Sequence, residues 1–164
     1  MAEFQAEKIL AALRRHEVDF VLVGGLAGMA HGSVVPSFDV DVTYARDRPN
    51  LERLVAALRE LGATLRGAPP DVPFQVDAKT IATGARFTFE TRFGSFDILS
   101  DPSGAPRYDV LKKESSLADV AGVPVLVCSL DHLIAMKEAS GRRKDMYQAM
   151  EYRGLSDRLR NPTA

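Results

Sequence analysis

The sequence predicts an α/β (α+β) domain, and three observations carry that expectation. Stretches with apolar residues at helical spacing alternate with short strand-like runs bounded by glycine and proline. At 164 residues and 46% hydrophobic content, the chain can bury one ordinary core, so a single domain over residues 1–164 is expected. The run from Gly24 to Val42, GGLAGMAHGSVVPSFDVDV, sets a glycine pair, a Gly-Ser and two alternating aspartates between apolar segments.

From the N-terminus, Phe4, Ile9, Leu10 and Leu13 stand at helical spacing among charges, which predicts an amphipathic helix over 3–16. Asp19 to Gly24 is an apolar run stopped by Gly24-Gly25, and Leu26 to His31 is rich in helix formers, so strand, tight turn and short helix follow in order. Pro36 breaks the chain before a second strand, Phe38 to Tyr44. Leu51, Leu54, Val55, Leu58 and Leu61 form an i, i+3, i+4, i+7 stripe, which predicts a helix over 50–61 with Asn50 as N-cap and Gly62 as its stop. Residues 63–78 hold Pro69, Pro70 and Pro73 and read as a long irregular connection able to wall a cleft. Arg86 to Arg92 alternates, and a turn at Phe93-Gly94-Ser95 leads into Phe96 to Leu99, a β-hairpin whose second strand carries Asp97. A short helix over 108–114, a strand over 123–128, a helix over 130–139 capped near Asp131 and a last helix from Arg143 to Gly154 complete the chain.

Composition excludes several classes. Net charge is -1, from 21 basic and 22 acidic residues, so no global positive field marks a generic nucleic-acid binder. The longest apolar stretches fall far short of the ~20 residues of a membrane span, and MAEFQAEKIL lacks the pattern of a signal peptide. With Cys128 alone there is no internal disulfide, and a cytoplasmic location is expected.

The aspartates carry the chemistry. Asp39 and Asp41 are two apart, so on a strand both leave one face while Phe38, Val40 and Val42 leave the other. Two adjacent anions call for a counter-charge, and hard oxygen ligands suit Mg²⁺, which takes one or two carboxylates and completes its shell with water and phosphate. Asp97, on a neighbouring strand, supplies a third carboxylate for two-metal phosphoryl transfer. The alternative is a solvated strand face. Gly24, Gly25, Gly32 and Ser33 suit a phosphate site, because glycine lets backbone approach an anion and a hydroxyl donates one more bond. A tight turn alone explains the glycine pair equally well, and the spacing matches neither the dinucleotide fingerprint nor the P-loop. Arg142, Arg143 and Lys144 form a basic cluster that suits a triphosphate or RNA, or a helix end, with Asp145 to orient it. His16, His31 and His132 lack the paired spacing of a zinc site, and a structural role for His31 and a packed Cys128 are expected.

The run GGLAGMAHGS followed by SFDVDV, with a later acid in FDIL, resembles the nucleotidyltransferase superfamily that includes DNA polymerase β. Within it, SLDHLIAMK at 129–137 and GRRKD at 141–145 are similar to the small bacterial branch related to abortive-infection toxins of type IV toxin–antitoxin systems. The resemblance covers a core of about 18–152. It implies a mixed β-sheet with helices packed mainly on one side and C-terminal helices. It also implies two Mg²⁺ ions, replaceable by Mn²⁺, and transfer of a nucleoside monophosphate from an NTP with release of pyrophosphate. Carried over, Asp39 and Asp41 become ligands of both ions, Asp97 a ligand and the base-side carboxylate, Ser33 a triphosphate contact, and Lys137 a neighbour of the phosphates. Lys137 also reads as a solvated residue of an amphipathic helix.

Three functions are weighed. The leading one is an Mg²⁺-dependent nucleotidyltransferase acting on RNA, protein or a small molecule, with a cognate toxin or antitoxin partner in a defence context. An aminoglycoside- or lincosamide-type antibiotic adenylyltransferase needs an acidic pocket, and Asp71, Asp77 and Glu90 do not cluster in sequence to make one. A catalytically silent nucleotide-binding or antitoxin-like partner has no chemical need for all three acids.

Overall fold

Ile9, Leu10 and Leu13 form the wholly buried stripe of α1 (Ala6–Arg15) in the computed structural model, which describes residues 3–69, 71 and 75–163. The apolar run that follows is β1 (Phe20–Val23), buried along its whole length. Gly24 then takes φ +71, open to glycine at little cost, and α2 (Gly24–Ala30) begins at that residue with no separate turn before it. Next come β2 (Asp39–Tyr44) and α3 (Arg48–Glu60). Pro70 and Pro73 of the expected irregular connection lie outside the described residues; on either side of them are a two-residue strand, β3 (Thr64–Leu65), and a short helix, α4 (Ala78–Thr83). The hairpin is β4 (Arg86–Thr91) with β5 (Gly94–Leu99). After it come α5 (Tyr108–Lys113), β6 (Ser116–Val120), β7 (Val123–Val127), α6 (Leu130–Ser140) and α7 (Arg143–Arg160).

Among the described residues seven strands make one mixed sheet in the order β3-β4-β5-β2-β1-β7-β6. Central β2 runs antiparallel to β1 and parallel to β5. Val40, Val42, Phe96 and Ile98 are fully buried on one face of this central pair, each contributing about 1.5–3 kcal/mol through burial. By the two-residue period, Asp39, Asp41 and Asp97 leave the other face. No helix among the described residues is long and apolar enough to cross a membrane.

Three cap and boundary details differ from the sequence expectation. The N-cap of α3 is Asp47, whose Oδ2 accepts the Asn50 N–H at 3.1 Å, and Pro49 sits in the first turn, where its missing N–H costs nothing. Asn50 is instead wholly buried, its Oδ1 accepting the Asp19 N–H at 2.7 Å while Nδ2 donates to the carbonyls of Asp19 at 3.0 Å and Ala45 at 2.8 Å. It thereby ties the start of α3 to the ends of β1 and β2. The α6 cap is Ser129, which accepts the His132 N–H at 3.1 Å, and not Asp131. Helix α7 continues through Gly154 to Arg160, because Ala149, Tyr152 and Leu155 bury one stripe whose packing outweighs the roughly 1 kcal/mol a glycine costs.

Candidate active site

Parallel pairing of β2 with β5 sets Asp39 opposite Ser95 and Asp41 opposite Asp97, so the three aspartates share one end of one sheet face. The turn into α2 closes over them. A Cβ on Gly24 would stand 2.3 Å from Asp41 Oδ2, so only a glycine lets the backbone come this close to the carboxylate. Asp41 is half-buried, and none of the described residues hydrogen-bonds to its side chain. Burial first, then the charges of Asp97 and Asp39, push its pKa up to about 7, and Arg86 and Lys137 only partly offset them. Asp97 is 3% exposed, and guanidiniums engage both its oxygens: Arg66 Nη2 donates to Oδ1 at 3.1 Å and Arg86 Nη2 to Oδ2 at 3.2 Å.

Two lobes of a single cleft meet at these acids. One, of about 550 Å³, lies against Val35, Ser37, Phe38, Lys144 and Tyr147. The other, of about 430 Å³, holds Arg86, Asp97, Asp101 and Ser140. Gly25, Asp39, Asp41, Lys137, Arg142 and Asp145 line both. Across from the sheet, Asp145 at the start of α7 is 4% exposed and gathers cations from α6 and the turn between the helices. Its Oδ1 accepts Lys137 Nζ at 3.3 Å, and its Oδ2 accepts Ser140 Oγ at 2.6 Å and Arg142 Nε at 2.9 Å. Burial alone would raise the Asp145 pKa; the Ser140 hydrogen bond and the Lys137 and Arg142 charges outweigh it and hold the group below its ordinary value. A larger cavity of about 630 Å³, between Arg59, Thr64 and Asp77, is remote from the acids.

Solved structures share this architecture. The antibiotic-resistance factor ANT(2'')-Ia superposes with a TM-score of 0.59 at 20% identity, over 94% of this chain and 82% of that one. The lincosamide antibiotic adenylyltransferase LnuA, solved with lincomycin bound, gives a TM-score of 0.61 at 13% identity, over 93% and 99%. A candidate nucleotidyltransferase from Thermotoga maritima, TM1012, gives 0.55 at 17% identity, over 93% and 96%. The fold is that of the nucleotidyltransferases. No protein-family model matches the chain, and no curated protein matches it in sequence.

On the nucleotidyltransferase fold, most of the residues picked out in the sequence come together: Asp39, Asp41, Asp97, Gly24, Gly25 and Lys137 line the cleft. Gly32 and Ser33 do not. Ser33 is buried and donates to Glu151 Oε1 at 2.6 Å, which ties the loop after α2 to α7, and a Cβ on Gly32 would meet Leu155. The cleft's hydroxyl beside Gly25 belongs to Ser37: a Cβ at Gly25 would stand 2.9 Å from Ser37 Oγ, so this serine fills the space a side chain at 25 would take. Ser37 lies inside the run singled out in the sequence and was legible there as a hydroxyl two residues before Asp39. Arg86 and Asp101 carry no motif and reach the cleft only through the sheet order. His31 Nε2 donates to the Cys128 carbonyl at 2.8 Å, a structural role, and burial pushes the Cys128 thiol up to about 12.

The aspartates fit a divalent cation in part. Asp41 is a half-buried, unpartnered carboxylate crowded by two others, and Asp39 beside it offers a second hard oxygen donor, the chemistry Mg²⁺ takes. The full set of three does not fit as it stands. Asp97 has both oxygens engaged by arginine, and among the described residues no group of three or more His, Cys, Asp or Glu is arranged to hold a metal ion.

Proposed function

We propose that this protein transfers a nucleoside monophosphate from an NTP to an acceptor hydroxyl or phosphate, with Mg²⁺ held by Asp39 and Asp41. The observation that carries this reading is the pairing of Asp41 with Asp97 beside Gly24, on the floor of a cleft whose opposite wall bears Lys137 and Arg142. Bound there, Mg²⁺ or Mn²⁺ would neutralise the carboxylates and polarise the phosphates. In the transfer an acceptor oxygen bonds to the α-phosphorus, the bond from that phosphorus to the bridging oxygen breaks, pyrophosphate leaves with the electron pair, and the proton of a hydroxyl acceptor passes to water. Such chemistry asks the protein for positioning and charge. Asp145 supplies both by holding Lys137 and Arg142 at the border of the two lobes, where a polyphosphate would lie.

Lys137→Met tests the reading directly. Loss of one charge-assisted bond to phosphate, about 1.5–3 kcal/mol, weakens binding roughly 10- to 100-fold. Calorimetric titration of each NTP with Mg²⁺ into wild type and variant reads this out. Unchanged affinity removes Lys137 from the site.

A second reading concerns the acceptor. Of the five aspartates in one lobe, Asp97 and Asp145 are paired with arginine and lysine and Asp39 and Asp41 would hold the metal, which leaves Asp101 to meet a small cationic acceptor. Neighbours on the fold include ANT(2'')-Ia, solved in complex with adenylyl-2''-tobramycin, and LnuA with lincomycin. Antibiotic resistance conferred on a host strain distinguishes this acceptor from RNA or protein. A toxin–antitoxin role rests on the resemblance of the 129–137 and 141–145 runs.

A further inference from the structure

The three aspartates of the floor carry three negative charges, and two arginines reach toward them from the β3–β4–β5 side. Their situations differ. Arg66 is committed elsewhere as well: its Nε donates to Glu90 Oε1 at 2.9 Å and its Nη2 reaches the Phe89 carbonyl at 3.4 Å, so Glu90 already balances its charge. Glu90 is in turn fixed by Ser95 Oγ at 2.9 Å. The Arg86 side chain makes no hydrogen bond among the described residues beyond its 3.2 Å contact with Asp97, and it lines the lobe that contains Asp39 and Asp41. It is a cation free to serve the acid cluster.

We infer that the Arg86 guanidinium fills the electrostatic place of a second divalent ion, so that the cleft takes one ion, on Asp39 and Asp41. This rests on the proposed Mg²⁺ site and narrows it. Before nucleotide binds the charges close: one divalent ion and Arg86 cancel the three aspartates, whereas two ions beside Arg86 leave a surplus of two positive charges at the floor; with nucleotide bound, the hydrogen bonds to Asp97 carry the inference. Geometry agrees, because an ion on Asp97 would have to displace a guanidinium from a carboxylate that is 3% exposed and already pinned on both oxygens. Arg86 is on this account a positioning residue as well, holding one oxygen of Asp97 by its 3.2 Å hydrogen bond.

Counting bound Mn²⁺ by electron paramagnetic resonance tests this without any turnover. Wild type is expected to bind one Mn²⁺ per chain, both alone and with a non-hydrolysable α,β-methylene NTP analogue. Arg86→Met is expected to bind two, and to gain more thermal stability from Mn²⁺ than wild type does, because the ion then takes the Asp97 oxygen that Arg86 held while Arg66 keeps the other. Arg86→Lys keeps the charge and the count of one. Two ions on wild type overturn the inference, as does a count of one on a folded Arg86→Met. If Arg86→Met does not fold, the wild-type count with the analogue still decides. Failure of wild type to bind any Mn²⁺ overturns the metal site itself, and the inference with it.

Discussion

Asp41→Asn is expected to abolish nucleotidyl transfer while leaving the metal-free protein folded and more stable than wild type at neutral to alkaline pH. The two effects have one cause. Asp41 is half-buried beside Gly24 and crowded by two further carboxylates, an arrangement unfavourable to the fold and useful to a cation. Replacing it with a neutral side chain of the same shape removes the repulsion from Asp97 and Asp39 and the cost of a partly buried charge. It also removes the better ligand of the pair. Transfer should fall at least about a thousandfold, equivalent to some 4 kcal/mol of transition-state stabilisation. Stability is read by chemical denaturation in chelator, and activity by release of pyrophosphate. A variant that is inactive because it is unfolded would contradict this account, as would one that is folded and fully active.

The second large effect is on pH dependence. An Asp41 pKa of about 7 in the folded chain, against 3.8 for the ordinary group, means that the native state holds this proton more tightly than the unfolded state does. Between these values folding takes up a proton, so stability falls as pH rises. The stabilisation is fully present below about pH 4 and lost above about pH 7, and it amounts to a few kcal/mol, with a ceiling of roughly 4. Metal-free wild type should therefore be less stable at pH 8 than at pH 5. Subtracting the same profile for Asp41→Asn isolates this group from the histidines. Added Mg²⁺ should restore stability most at the alkaline end, where Asp41 is ionised and ready to bind it. Parallel profiles for the two proteins would show that Asp41 is not under the stress the geometry gives it.

The central unit of the fold was legible because its signals are local. An apolar run, a glycine pair and an alternating aspartate strand lie within 24 consecutive positions, 19 to 42, and each reports its own backbone period. Asp97 was legible for the same reason, as an acid set between Phe96 and Ile98 on a strand. What escaped is what depends on distant partners. Edge strand β6 has an exposed Ser116 and Leu117, little apolar pattern, and a turn at Ala121-Gly122 in which alanine takes φ 52, a conformation that its residue type does not announce. Asn50 looks like a cap in sequence, but the carbonyls it serves at Asp19 and Ala45 come from other elements. Asp47 before Arg48-Pro49 was the available cap signal.

In the site, the acids and glycines follow from spacing, and the cations mostly do not. Arg66 and Arg86 are ordinary strand-end arginines until the order β3-β4-β5-β2 brings them to Asp97. Lys137 and Arg142 lie on a helix and a turn far along the chain from the glycine pair, and only the packing of α6 and α7 brings them to the same cleft. Ser33 shows the converse. A Gly-Ser pair fits a phosphate loop on composition, yet in the fold its hydroxyl is spent on Glu151.

The most direct test is incubation of the purified protein with each α-³²P-labelled NTP and Mg²⁺ or Mn²⁺. Total RNA, cell protein and a panel of cationic small molecules serve as acceptors, and the Asp39→Asn/Asp41→Asn double variant is the control. Label is expected to move from one NTP to one acceptor class with wild type only, naming base and acceptor together. Equal transfer by wild type and the double variant, or no transfer to any acceptor under conditions where the NTP and metal are both bound, would contradict a nucleotidyltransferase centred on these two aspartates.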